Sequence, residues 1–138
     1  MLRALLSRYG TRKARVAAVY DMVDALNSLD YTALRRLVTE DAVVIDAQGR
    51  KMEGVESIIE GDRMFREQAD RPQIVIDTLD HTREEVLVRG WMNSRMPEID
   101  GPLLWRIEFE GERIRRVEVT RPVDRLTAPQ VAAQRRAN

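Results

Sequence analysis

Cysteine is absent from the 138 residues, which removes disulfides, thiolate metal sites and a cysteine nucleophile at once. The absence suits a reducing cytoplasm, where the chain is expected to work. Histidine occurs once, at His81 beside Asp80. No second ligand at metal-binding spacing joins it, so no metal is expected. A lone histidine near a strand end reads as exposed and inert, although its titration range makes it worth naming. Charge of either sign is not in excess: 23 basic residues face 23 acidic ones, with no continuous basic face and no aromatic-studded RNA-binding strand. Nucleic acid is therefore not an expected partner. A long apolar run is missing too, so nothing reads as a bilayer span or a signal-peptide core.

What is present suits one domain of ordinary size, since 43% of the residues are apolar and a real core can form. The first fifteen residues hold Arg3, Arg8, Arg12, Lys13 and Arg15 without an acid, and Leu2, Leu5, Leu6 and Tyr9 can form a stripe between them. A basic amphipathic helix can lie on a membrane. The preferred reading is a helical extension, residues 1–12, that caps the domain or a partner subunit. Residues 13–122 then form the domain and 123–138 a tail, with "APQVAAQRR" as a loose helix or disordered.

Val16, Val19, Tyr20, Val23 and Leu26 recur at helical spacing over 13–27. Asp30 offers an N-cap oxygen to a second helix carrying Tyr31, Leu34, Leu37 and Val38. "AVVID" at 42–46 is a short β-branched strand ending in the "DAQG" turn. Val55, Ile58, Ile59, Asp62 and Phe65 make a third helix opened by Gly54. From Pro72 the segments "QIVIDTLDHT", "EEVLVRGWMNSRM", "PLLWRIEFE" and "RIRRVEVTR" read as four strands joined by hairpins. The expected architecture is α+β, a curved, mainly antiparallel sheet wrapped around three N-terminal helices into a cone with a pocket at its open end.

The stretch "LDYTALRRLVTEDAVVIDAQG…MEGVESI" and the later "FEGERIRRVEV" resemble the SnoaL-like and ketosteroid isomerase-like branch of the nuclear-transport-factor-2-like superfamily, which has a cystatin-like cone fold. The resemblance places Asp46 where such isomerases carry a general base. It places Tyr20 roughly where they carry an oxyanion-donating tyrosine. Trp105 stands near their second donor, a protonated acid held in an apolar site. An indole N–H would be the second donor here, so steroid isomerisation as such is not implied.

Alternation along the strand puts Ala42, Val44 and Asp46 on one face. A carboxylate facing an apolar cavity would have a raised pKa, as a general base near neutrality requires. Equally, Asp46 can brace the "DAQG" turn, as aspartate commonly does. Trp91 shares a face with Arg89 and Asn93, opposite Val88 and Met92. That face lines the pocket if it is concave and a dimer interface if it is convex.

Two functions follow. One is a non-catalytic domain that holds an apolar or amphipathic small molecule within walls formed by Met64, Phe65, Arg89, Trp91, Asn93 and Trp105. The other is a cofactor-free isomerase, cyclase or dehydratase of a carbonyl compound, with Asp46 as base and Tyr20 as hydrogen-bond donor. The first is favoured because the acid and oxyanion set is incomplete. Neither needs a cofactor. A homodimer is expected, because helices cover only one face of such a sheet.

Overall fold

The computed structural model describes residues 2–137, with the side chains of residues 10–136. The apolar stripe proposed for Leu2, Leu5, Leu6 and Tyr9, with Arg3 and Arg8, lies outside the described side chains. The first helix, α1 (Leu2–Ser28), runs without a break across the boundary expected at residues 12 and 13. Its buried stripe is Ala18, Val19, Met22, Val23, Ala25 and Leu26, and Tyr20, turned about 100° from Val19, falls outside it at 48% exposure. Leu29 ends the helix in the left-handed region (φ 60°). Asp30 then caps α2 (Tyr31–Leu37), its side chain accepting from Ala33 N at 3.0 Å.

The first strand, β1 (Val38–Asp46), starts four residues earlier than the apolar run suggests, and a short β2 (Lys51–Glu53), which the sequence did not betray, pairs antiparallel with it. Gly54 turns the chain at φ 87° into α3 (Val55–Gln68), a conformation that side-chain-bearing residues rarely adopt. Every member of the stripe Val55, Ile58, Ile59, Asp62 and Phe65 is buried, the acid included.

The meander follows as β3 (Gln73–Thr82), β4 (Glu85–Asn93), β5 (Gly101–Glu110) and β6 (Arg113–Thr120), and α4 (Ala128–Ala137) ends the chain. The strands form one sheet in the order β2-β1-β6-β5-β4-β3. All neighbours are antiparallel except β1 and β6, which pair in parallel. The sheet is therefore mixed, and it is a curved open sheet rather than a closed barrel. Helices cover its concave face alone, with α1 against α2 and β3, and α3 against β1, β2 and α4.

The tail is not loose. Val131 and Ala132 of α4 are buried in the core at 3% and 4% exposure. Gly61 on α3 makes room for Met52 of β2, since a Cβ there would lie 2.2 Å from the Met52 sulfur, while Ala132 of α4 would be in ordinary contact at 3.5 Å.

Curvature has a local cause at Gly90. The β3–β4 register shifts between Ile76 and Thr78, a bulge that bends β3 across β4 at this point. A Cβ on Gly90 would sit 2.6 Å from the Val75 carbonyl oxygen, a backbone atom that cannot swing aside. Gly90→Ala is expected to cost about 1–3 kcal/mol, the usual size of overpacking. A melting temperature within a degree of the parent would count against this origin of the bend.

Candidate functional site

The concave face and the three helices enclose a cavity of about 80 Å³. Leu26 of α1, Leu34 of α2, Phe65 of α3, Met92 of β4, Trp105 of β5 and Val117 of β6 are among its walls. Three methionines, Met22, Met52 and Met92, also line it, giving walls that can yield to an occupant. Residues that follow β6 complete the lining: Arg121, Leu126, Thr127, Ala128 and Pro129. The polar groups among the lining are Asp62, Arg66, Arg121, Thr127 and the indole N–H of Trp105.

Arg121 is held by main-chain carbonyls. Its Nε donates to Pro102 O at 3.2 Å, Nη1 to Leu126 O at 2.7 Å, and Nη2 to Ile99 O and to Gly101 O. Burial, with repulsion from Arg125, pulls its pKa down to about 10. The guanidinium thus ties the β4–β5 loop to the segment that follows β6.

Asp62 sits among apolar neighbours because it occupies a core position of the α3 stripe. Tyr31 Oη donates to its Oδ2 at 2.7 Å, and Arg66 Nε reaches Oδ1 at 3.4 Å. Arg66 also donates to Pro72 O. Burial raises the pKa of Asp62 above the usual carboxylate range, with the Arg66 charge and the Tyr31 bond opposing. The Tyr31 hydroxyl is likewise pushed up by burial and by the neighbouring Asp62.

Asp46 is quite different. Its side chain is fully buried, and Oδ1 accepts from the backbone N–H groups of Gln48 and Arg50, both at 3.0 Å. Oδ2 accepts from Arg50 Nε at 2.7 Å and from Thr127 Oγ1 at 2.7 Å. Burial alone would raise this pKa. The bonds from Thr127 and from the Arg50 side chain and backbone, with the Arg50 charge, outweigh it and hold the carboxyl below its ordinary value. Thr127 in turn receives Gln130 N at 3.1 Å, so one hydroxyl links the turn after β1 to the start of α4.

The candidates named from the sequence thus separate. Phe65 and Trp105 line the cavity. Met64 is half-buried against the core beside it. Asp46 and Tyr20 do not line it: the acid lies beyond the end of the wall, bonded into its own turn, and the tyrosine faces solvent on α1. Arg89, Trp91 and Asn93 lie on the convex face, because Val86, Val88 and Met92 take the inward positions of β4. Trp91 Nε1 donates there to Asp100 Oδ1 at 3.2 Å.

His81 is half-buried on β3 rather than exposed, its Nδ1 accepting from Arg12 Nε at 3.2 Å. Burial, with Arg12 and Arg15 nearby, lowers its pKa. Among the described residues no group of three or more histidines, aspartates or glutamates could hold a metal ion, and no helix is long and apolar enough to cross a membrane.

Sequence reading passed over Tyr31, Asp62, Arg66, Arg121 and Thr127 as site residues. A signal existed for one of them, since Asp62 is an acid at a core position of an otherwise apolar helical stripe.

Comparison with known proteins agrees with this architecture. A search of curated proteins finds no significant match. Among solved structures, a protein of Sinorhizobium meliloti proposed to be a polyketide cyclase is 25% identical, with a TM-score of 0.69 over 75% of this chain and 93% of that one. An uncharacterised cystatin-fold protein of Novosphingobium aromaticivorans gives 21% identity and a TM-score of 0.70 over 78% and 97%. Bal32a, from a soil-derived mobile gene cassette, gives 15% identity and 0.72 over 79% and 89%. The model of the SnoaL-like domain matches residues 19–117, and the chain belongs to that family.

Proposed function

We propose that the protein is a small-molecule-binding domain that holds a compact apolar or amphipathic molecule in the cone cavity. The observation that carries this reading is the cavity itself: an apolar chamber at the convergence of three helices and the concave sheet, walled partly by flexible methionines. At about 80 Å³ it is smaller than a usual metabolite pocket, so occupancy by anything larger than a few heavy atoms requires the methionines or the segment after β6 to shift. The test is NMR of the Trp105 indole N–H, assigned with a Trp91→Phe variant, during titration with toluene. A saturable shift is expected. No saturable shift up to the solubility limit would overturn the reading.

The alternative, an enzyme that abstracts a proton from a carbonyl compound with Asp46 as base, has little geometry in its favour. Four hydrogen bonds commit both oxygens of that carboxylate, its pKa is lowered, and Tyr20 is on another surface.

A second copy of the chain is the partner we assign to the convex face. Val75, Leu87, Trp91 and Leu104 are each 39–44% exposed and lie together there on β3, β4 and β5. Arg89, Arg106 and Glu85 stand among them, a mixture of signs that can complement itself across a two-fold axis. Light scattering at micromolar concentration is expected to give about twice 15.9 kDa, and Trp91→Glu about 15.9 kDa. A monomeric parent would contradict the assignment.

A further inference from the structure

The polar lining groups differ in how much bonding capacity they have left. Arg121 is spent on four main-chain carbonyls. Thr127 donates its hydroxyl hydrogen to Asp46 and accepts from Gln130 N. Arg66 is shared between Pro72 O and Asp62. Among the acceptors Asp62 keeps the most room, for a carboxylate offers about four acceptor sites and this one receives a single strong bond, at Oδ2, and a long contact of 3.4 Å at Oδ1. It is 6% exposed, so bulk water does not readily make up the difference.

From this we infer that Asp62 is the polar anchor of the cavity, and that the ligand is a compact apolar body carrying one O–H or N–H donor directed at Asp62 Oδ1. The inference rests on the cavity being a ligand site, and adds the ligand's chemical class. Tyr31 and Arg66 act as positioning residues: they fix the carboxylate from α2 and from the next turn of α3, leaving Oδ1 as the weakly bonded atom. A donor would complete the acid's bonding and relieve part of the cost of burying it, whereas a ligand with only acceptors would find no partner at Asp62 Oδ1.

Phenol against toluene tests this, because the two have similar shape and differ in one donor. In a cavity that gave the hydroxyl nothing to bond, phenol would bind more weakly on the order of tenfold or more, having lost its hydrogen bonds to water. The expected result is that phenol binds at least as tightly as toluene by the Trp105 indole signal, and that phenol but not toluene shifts the Asp62 side-chain carboxyl ¹³C resonance. Asp62→Leu is expected to reverse the preference in favour of toluene, and Asp62→Asn, which keeps an acceptor oxygen, to retain part of it. Should Asp62→Leu fail to fold, the carboxyl resonance of the parent decides alone. Saturable binding of both probes with toluene the tighter, or an unmoved Asp62 carboxyl, would overturn the anchor while leaving the cavity a ligand site. Failure of both probes to bind would overturn the ligand site and the anchor with it.

Discussion

Asp46→Asn is expected to lower stability at pH 7 by about 2–4 kcal/mol, the range for weakening a buried, charge-assisted hydrogen-bond set without removing every partner. Asparagine keeps one acceptor oxygen but puts an NH₂ where Oδ2 now receives both Arg50 Nε and Thr127 Oγ1, or else loses the two backbone donors at Oδ1. The effect must depend on pH, with a definite sign. The folded-state pKa of Asp46 is depressed below 3.8, so its contribution is complete above that value and is lost as pH falls through the folded pKa. Denaturant unfolding at pH 7 and again near pH 3 should therefore show the gap between parent and variant narrowing on acidification. A general base desolvated in a pocket would give the opposite: a raised pKa and a variant at least as stable as the parent.

Arg121→Met should be more damaging, with a loss of about 3–5 kcal/mol, because it strips a buried fork of donors from Ile99, Gly101, Pro102 and Leu126 while roughly conserving side-chain volume. Lysine should rescue little of this, since a single ammonium cannot reproduce a planar guanidinium bonded on two sides. Urea unfolding measures the loss, and accelerated hydrogen exchange in α4 should accompany it, because the same arginine holds the Leu126 carbonyl at the entrance to that helix. A loss under about 1 kcal/mol would mean that the four carbonyls find other donors.

Much of the fold was legible in the sequence because period and punctuation agree. The stripe of α3, the Asp30 cap and the breaks between the four late strands are local signals, and local physics settles them. The parallel β1–β6 pair was not legible, since it joins residues about seventy positions apart and no hairpin announces it. The same distance hid the candidate site. Alternation correctly set Asp46 on the face of Ala42 and Val44, yet it could not show that the cavity wall stops before Asp46, or that Thr127, 81 residues on, supplies a hydrogen bond. Trp91 shows the limit of period two from the other side: the pattern separates its face from that of Val88, but only the helices packed on Val88 decide which face is concave. Asp62 was visible as an acid in an apolar stripe. Its importance emerges only when Tyr31, Arg66 and the cavity are placed around it.

Small-molecule binding in the cone is the central claim, and xenon tests it most directly, being compact, apolar and visible by its anomalous scattering in a pressurised crystal. The prediction is one ordered xenon between Leu34, Phe65 and Trp105, with the surrounding side chains in place. An empty cone, with xenon bound elsewhere or not at all, would contradict the account.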